Sequence, residues 1–447
     1  MNCLNFIKKI VKKTKYGSYL VAFLPKRLIY TKTYREIVEL YRLARKGKDE
    51  DIDDILRNRM VSVLRNALTN VPYYRNNINI SPDSINTINV YEKLSLFPYL
   101  DKSTVMENWE DFVNDKYSIS HLKIGSTEGT TGQGMKIASN LREIGAHAAF
   151  IDSILYDFKY DKIKDKTVRI GLEALRGIDE YPCAIYGNRL LISPVHLVPR
   201  WFDVIYNEIK TYKPKAIHSY PTLLFLLSQY IIENNLNPLK IDLLLLASDV
   251  FLYTHKVSFD KAFENPDIVC IYNMSEHVAL GVATVDDKNK RISYNLEKMY
   301  AYNENRIDDF GKSEIVGTSY WNEVMPLIRY KTKDYGIIDK SNQIGLLEGR
   351  GQNYLTTKNG DKVAGISILE PEDYFWDIMS AYQFVQKEPG KIIMRLIPKD
   401  KFTSSSQDKI IHDLEKRWPN LFDFSIEIVS ELQKGNSTKV QSIIVEM

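Results

Sequence analysis

One short stretch of the sequence combines glycines, hydroxyl side chains and lysine in the manner of an anion-binding loop. Residues 123–136 read Lys-Ile-Gly-Ser-Thr-Glu-Gly-Thr-Thr-Gly-Gln-Gly-Met-Lys. Glycine allows positive φ and a close backbone approach, while hydroxyl groups and a lysine supply donors and positive charge. The stretch predicts a loop that binds an anion, and a polyphosphate fits best; a surface turn of the same composition is the alternative. The residues expected to contact the phosphates are Thr127, Gly129, Thr130, Thr131, Gly132 and Lys136.

Two better-known phosphate loops do not fit this stretch. A nucleotide-triphosphatase loop requires Lys and then Ser or Thr after its second glycine, whereas Gly134 is followed by Met135. The dinucleotide-binding fingerprint requires G-x-G-x-x-G, and the residues after Gly125 break that spacing. The loop is therefore of another kind.

Polar residues follow two apolar runs that read as central strands of a sheet. The run 241–246 ends at Ala247-Ser248-Asp249, and the run 268–271 leads into a polar turn that ends at Glu276. Ligands of open α/β sheets gather beyond the carboxyl ends of the strands, so Ser248 and Asp249 are predicted to line a nucleotide site. Either residue can also serve as an ordinary helix cap at this place.

The elements around these residues alternate between strand and helix patterns. A helix is predicted over 141–158, strands over 168–172 and 190–197, a helix over 201–212 and a strand over 214–221. This βαβ rhythm predicts an α/β fold with a parallel or mixed sheet flanked by helices. Short strands between Ile292 and Val316 predict a small β subdomain, and the last hundred or so residues predict a small α+β domain.

Composition and charge exclude several classes of protein. The chain has 447 residues, 44% of them hydrophobic, which is enough for two or three domains with a large core. A net charge of +3 gives no argument for nucleic-acid binding. Cys3, Cys183 and Cys270 are far apart, so no cysteine zinc site of the usual spacing exists. No apolar run approaches the length of a membrane span, and a cytoplasmic location is expected.

The N-terminal segment is basic, since lysines and arginines occur there with no acid before Glu36. Its apolar residues are interleaved with the charges, which does not fit a secretory signal. A basic amphipathic helix that touches an anionic membrane surface is one interpretation, and a solvated face on an ordinary first helix is the other.

Five motifs, in order along the chain, resemble those of the adenylate-forming (acyl/aryl-CoA synthetase) superfamily. Within it, the phenylacetate-CoA ligase-like branch is nearest, and particularly its capsular and exopolysaccharide-cluster members. The resemblance implies a large α/β domain followed by a small mobile α+β domain. The motifs are Gly129-Thr130-Thr131-Gly132, Tyr272-Asn273-Met274-Ser275-Glu276, Pro326 to Asp334, Gly349-Arg350 and Lys434 to Lys439.

The resemblance also implies a role for each motif residue. Tyr272 would stack on adenine beside Asn273, which replaces the usual glycine, Ser275 would reach the α-phosphate, and Glu276 would hold Mg²⁺. Asp334 would bind the ribose hydroxyls, a task that suits a carboxylate. Arg350 would contact the ribose or a phosphate, Gln352 would lie at the hinge, and Lys439 would be the catalytic lysine. The residues expected to border the acid pocket are His196, His218 and Tyr220. Either histidine can instead be a structural residue.

The function implied is ATP-dependent activation of a carboxylic acid through an acyl-adenylate, followed by transfer of the acyl group to coenzyme A. Transfer to an amine or a carrier is an alternative. A non-catalytic member is another, because Glu128, Asn273, Gln352 and Thr438 depart from the family pattern. The expected domains are a helical part at 1–120, an ATP-binding core at 121–349 and a mobile C-terminal domain at 350–447.

Overall fold

A computed structural model describes residues 32–126, 134–162, 164–249, 251–309, 311–345, 354–364, 374–433 and 443–446. The basic N-terminal segment thus lies outside the described residues. The α-helices of the described chain are α1 Lys32–Ala44, α2 Asp49–Asn70, α3 Pro72–Asn77, α4 Val90–Ser95, α5 Lys102–Glu107, α6 Leu141–Tyr156, α7 Pro199–Tyr212, α8 Pro221–Glu233, α9 Tyr253–Ala262, α10 Phe375–Ile378 and α11 Ser404–Arg417. In this part of the chain, no helix is long and apolar enough to cross a membrane.

The strands of the large domain are β1 Lys123–Ser126, β2 Lys136–Ser139, β3 Thr167–Ile170, β4 Cys183–Tyr186, β5 Arg189–Ile192, β6 Ala216–Ser219, β7 Leu243–Ala247, β8 Asp267–Asn273, β9 Leu280–Asp286, β10 Arg291–Leu296, β11 Ala301–Ile307, β12 Ser313–Ser319, β13 Tyr330–Tyr335 and β14 Gln343–Ile344. Those that follow are β15 Tyr354–Thr356, β16 Lys362–Ala364, β17 Met379–Glu388, β18 Lys391–Pro398, β19 Asp423–Ile428 and β20 Ile443–Val445.

A nine-stranded mixed sheet forms the centre of the large domain, in the order β14-β10-β9-β8-β7-β6-β3-β5-β4. Its middle strands β5, β3, β6, β7 and β8 are parallel, so their carboxyl ends share one edge. Along β7, Leu243 and Leu245 enter one buried core while Leu244 and Leu246 enter the other. The continuous apolar run of this strand follows from burial on both faces, as in parallel sheets covered by helices.

Helix α2 buries apolar side chains that recur every four residues. Leu56, Met60, Leu64 and Leu68 all lie in the core. The helix ends at Asn70, and Val71 is extended at φ −109° and ψ 111° because the ring of the next proline disfavours helical geometry there.

The small β subdomain is an antiparallel sheet of β11, β12 and β13. The prediction placed its start at Ile292, which is too early. Residues 291–296 form β10, which pairs with β9 and extends the large sheet. Tyr294 and Leu296 are buried in that sheet's core, and their apolar alternation is the same as it would be in a separate sheet.

The C-terminal sheet has the order β19-β18-β17-β20, with α11 joining the parallel strands β18 and β19. This confirms the predicted small α+β domain, in which β18, α11 and β19 form a β-α-β unit. The core of this unit also includes Ile178, Val195 and Val198 from the large domain.

Adjacent residues of strand β17 contact Gln433 and Ile443, which are the described residues on either side of 434–442. The buried side-chain amide of Gln383 donates to the carbonyl of Gln433 at 2.9 Å and accepts from its N–H at 3.3 Å. The next residue, Phe384, is the ladder partner of Ile443. Arg395, which lies opposite Gln383, donates to the side chain of Gln433 at 2.9 Å.

Candidate active site

The predicted phosphate loop is bounded by a hairpin. Strands β1 and β2 are antiparallel, and Ser126 pairs with Lys136. The exposed Lys136 side chain has its Nζ 5.6 Å from the centre of the Trp109 ring, while Trp109 Nε1 donates to the Lys136 carbonyl at 2.8 Å. The remaining predicted contacts, Thr127, Gly129, Thr130, Thr131 and Gly132, lie outside the described residues, so their role stays a prediction.

A buried carboxylate fixes the helix that follows this hairpin. Glu143 and the N-cap residue Asn140 form a capping box at the start of α6. The other oxygen of Glu143 accepts from the backbone N–H groups of Glu323 at 2.6 Å and Val324 at 2.8 Å. Burial raises the pKa of Glu143 to about 7. The sequence analysis missed this residue, although Asn140-x-x-Glu143 is a visible capping signal.

Ser248 and Asp249 follow β7 at the carboxyl edge of the sheet, beside the end of β8. Ser248 is exposed and has a left-handed backbone at φ 69°. Asp249 is half-buried and accepts a hydrogen bond from the hydroxyl of Thr222. Both residues therefore lie at the predicted edge, and Asp249 ties the end of β7 to α8.

Residues of two separate motifs meet at this edge. The hydroxyl of Tyr272, at the end of β8, donates to Asp334 of β13 at 3.0 Å. Tyr272 is only 9% exposed and its ring packs edge-on against Tyr294, so burial raises its pKa well above the usual value. Asp334 is half-buried.

Glu276 lies in the turn after β8. Its side chain is half-buried and accepts from the hydroxyl of Tyr330 at 3.2 Å, while its carbonyl accepts from Asn322 Nδ2 at 3.2 Å. Burial raises the pKa of Glu276, and the positive charge of Lys102 opposes this rise. Ser275 is exposed. Asn273, the last residue of β8, is half-buried.

Lys102 was not singled out from the sequence, and a backbone link explains its position. Leu100 N–H donates to the Arg329 carbonyl at 3.0 Å, and Lys331 N–H donates to the Leu100 carbonyl at 3.0 Å. The adjacent Asp101 pairs with Lys331 Nζ at 2.6 Å. These contacts bring the start of α5 to the first residues of β13, next to Glu276.

Arg329 anchors the same link. This residue is 9% exposed and has φ 51°. Its guanidinium donates to Glu304 through Nε at 2.7 Å and Nη2 at 3.0 Å, and through Nη1 to the carbonyls of Ser95 and Phe97, both at 2.8 Å. The two bonds to Glu304 hold Arg329 within the β subdomain, and the two bonds to Ser95 and Phe97 join it to the segment before α5.

The three predicted pocket residues have different environments. His196 is fully buried, and its Nε2 donates to the carbonyl of Glu180 at 2.9 Å. This contact is the one expected if His196 is a structural residue. His218 is half-buried on β6, and burial lowers its pKa to about 3. Tyr220 is 6% exposed, with the guanidinium of Arg169 5.8 Å from its ring centre.

Arg350, Gln352 and Lys439 lie outside the described residues, so their roles stay predictions. Among the residues that the structure does describe, no group of three or more His, Cys, Asp or Glu side chains is arranged to hold a metal ion. A metal at Glu276 would need further ligands, and phosphate oxygens are the partners that Mg²⁺ ordinarily takes.

Comparison with solved structures identifies the fold. The chain is similar to 2-hydroxyisobutyryl-CoA ligase in complex with 2-HIB-AMP and CoA in the thioesterification state, with a TM-score of 0.54, 14% identity, and coverage of 89% of this chain and 90% of that one. An open conformation of the same ligase has a TM-score of 0.50 and 13% identity, with coverage of 88% of this chain and 91% of that one. The chain therefore has the fold of the adenylate-forming ligases, as the motifs predicted.

Sequence comparison adds one match, to the CapK C-terminal domain, over residues 355–446. This range holds the C-terminal sheet and α11. The match agrees with the predicted nearness to capsule-cluster members of the superfamily. No curated protein matches the chain.

Proposed function

We propose that this protein activates a carboxylic acid with MgATP, forms an acyl-adenylate with release of pyrophosphate, and transfers the acyl group to coenzyme A. One observation carries the proposal. Tyr272 and Asp334 belong to separate motifs, yet they share a hydrogen bond of 3.0 Å at the carboxyl edge of the sheet. That edge is where nucleotides bind in open α/β folds.

In the proposed reaction, a carboxylate oxygen of the acid attacks the α-phosphorus of ATP and the bond to pyrophosphate breaks. Asp334 accepts hydrogen bonds from the ribose hydroxyls, and Tyr272 holds that carboxylate in place. Glu276, whose carboxylate accepts a hydrogen bond from Tyr330, would supply one ligand to the Mg²⁺ that accompanies the phosphates. The loop at 125–136 binds the β- and γ-phosphates, and Lys439 neutralises charge that develops between acid and α-phosphate.

Coenzyme A is proposed as the acceptor because the similar ligase structures contain CoA together with an acyl-AMP. The CapK C-terminal domain match favours a second candidate, in which the acyl group passes to an amine or a carrier during polysaccharide synthesis. Both candidates share the adenylation step, so that step is tested first.

The test measures pyrophosphate release from MgATP with a panel of aryl, fatty, hydroxy and amino acids, without and with coenzyme A. We expect release with one class of acid and acyl-CoA formation when coenzyme A is present. Lys439→Ala should abolish release and leave ATP affinity within a few-fold, because its charge acts mainly in the transition state. The exposed Lys416→Ala on α11 is the matched control.

The outcomes separate the candidates. Release that does not depend on coenzyme A, with no acyl-CoA formed, favours the amine or carrier acceptor. Binding of ATP without release from any acid contradicts the proposal and favours a non-catalytic protein that keeps the fold.

A further inference from the structure

Two histidines and a tyrosine form a hydrogen-bonded cluster beside the candidate site. The Nδ1 atom of His147, on α6, is 3.1 Å from the hydroxyl oxygen of Tyr300, and Nδ1 of His277 is 2.9 Å from the same oxygen. The two imidazole rings are 4.5 Å apart between their centres. Tyr300 is 2% exposed and is fixed by an edge-on contact with Phe150.

The number of protons in the cluster determines the two tautomers. The hydroxyl of Tyr300 has one hydrogen, so it can donate to only one of the two Nδ1 atoms. If both rings donated, that hydrogen would be buried without an acceptor, since the described residues offer it no other; this is costly. One histidine therefore accepts at Nδ1 and the other donates.

The assignment at Nδ1 also determines which of the two Nε2 atoms has a hydrogen. The ordinary form of histidine at pH 8 is the neutral ring. The ring that accepts at Nδ1 has a hydrogen on Nε2, and the ring that donates at Nδ1 has a bare Nε2. The pair presents one donor and one acceptor, and within the described chain neither Nε2 has a hydrogen-bond partner.

Both histidines belong to segments that border the candidate site. His277 directly follows Glu276, and adjacent Cα atoms are about 3.8 Å apart. His147 lies on α6, the helix that comes immediately after the phosphate-loop hairpin. Both residues are half-buried. The chemical group that matches a neighbouring donor and acceptor is one that both accepts and donates, namely a hydroxyl or an amide.

We propose that His147 and His277, oriented by Tyr300, form a recognition site for a hydroxyl or amide group carried by the acid substrate. The inference rests on the proposed function for the identity of the ligand as an acid, and it restricts that acid to a polar class. An acid with a purely hydrocarbon body would leave both nitrogens unpaired in a desolvated site, which is unfavourable.

The test compares matched acids in the full chain: lactate with propionate, 3-hydroxybutyrate with butyrate, and succinamate with valerate. We expect pyrophosphate release to favour the polar member of a pair, and His147→Phe to reduce that preference roughly 10- to 100-fold. His147→Gln, which keeps a donor and an acceptor, should retain part of it. The exposed His412→Gln is the matched control. A preference that is unchanged in His147→Phe overturns the inference.

A second readout does not depend on activity. Nitrogen-15 spectra of histidine-labelled protein should show opposite tautomers for His147 and His277, assigned with the single Gln variants, and Tyr300→Phe should remove this difference. Lactate should shift the Nε2 signals more than propionate does. Identical tautomers in the unmodified protein, or equal shifts with both acids, overturn the recognition site. Shifts without pyrophosphate release from any acid contradict the proposed function alone.

Discussion

The hydroxyl of Tyr272 donates a 3.0 Å hydrogen bond to Asp334, which joins the end of a central strand to the β subdomain. The two residues are 62 positions apart in the chain. A buried tyrosine hydroxyl that donates to a carboxylate restricts the rotation of that carboxylate. The bond therefore fixes the orientation of the Asp334 side chain.

Removal of this bond tests whether the orientation of the Asp334 carboxylate affects ATP binding. Asp334→Asn should weaken ATP binding most, by roughly 10- to 100-fold, because hydrogen bonds to a charged group are worth about 1.5–3 kcal/mol. Tyr272→Phe should weaken it less, since the carboxylate remains. Equilibrium titration with a non-hydrolysable ATP analogue measures both. An unchanged affinity in Asp334→Asn would remove this residue from the nucleotide site.

Lys102 is expected to keep the pKa of Glu276 lower than burial alone would set it. The positive charge of Lys102 opposes the rise in the pKa of Glu276 that burial causes. In Lys102→Ala the pKa of Glu276 should therefore rise further, so the acidic limb of the pH profile of kcat/KM should move to higher pH. The concentration of Mg²⁺ needed for half-maximal activity should rise as well. The exposed Lys116→Ala is the control, and identical pH profiles for all three proteins would contradict the expectation.

Arg329 is predicted to stabilise the link between the β subdomain and residues 95–102. Arg329→Lys keeps the charge but loses the two-pronged contact with Glu304. We expect a loss of about 2–3 kcal/mol in the free energy of unfolding, measured by urea denaturation. Arg291→Lys, at an exposed position of β10, should have almost no effect. A loss of equal size in both variants would show that the buried contacts are not the cause.

Glu143 should make stability depend on pH in a definite direction. Its pKa is raised to about 7 in the folded chain from an ordinary value of 4.5. Between these values the folded chain binds a proton that the unfolded chain releases, so the stabilising contribution falls as pH rises through this window.

The variant Glu143→Gln tests this direction. The substitution replaces an acceptor of the Asn140 N–H by an amide NH₂, so we expect a loss of about 1–3 kcal/mol at pH 5. The difference from the unmodified protein should shrink between pH 5 and pH 8, in urea titrations at several pH values. The exposed Glu110→Gln supplies the baseline. A difference that grows with pH would reverse the assigned direction of the pKa shift.

Local patterns predicted the elements of the large domain well, because each strand and helix has its own apolar spacing. The apolar run at 241–246 depends only on nearby residues. The contacts that assemble the site do not. Tyr300 and His147 are 153 positions apart, and Arg329 bonds to the carbonyl of Phe97 over 232 positions. Spacing along the chain carries no information about such pairs.

The sheet to which a strand belongs was likewise not predictable. β10 alternates in the same way whether it extends the large sheet or begins a small one. Only its pairing with β9 settles the question. For Glu276 and Asp334, the motif resemblance supplied the candidates, and the hydrogen bonds to Tyr330 and Tyr272 could be seen only in three dimensions.

Strand β17 holds Gln433 through the side chain of Gln383 and Ile443 through its ladder partner Phe384. Two positions that are ten residues apart in the sequence are therefore fixed to neighbouring residues of one strand. Any displacement of β17 carries both positions with it, so they move as one body with the C-terminal sheet.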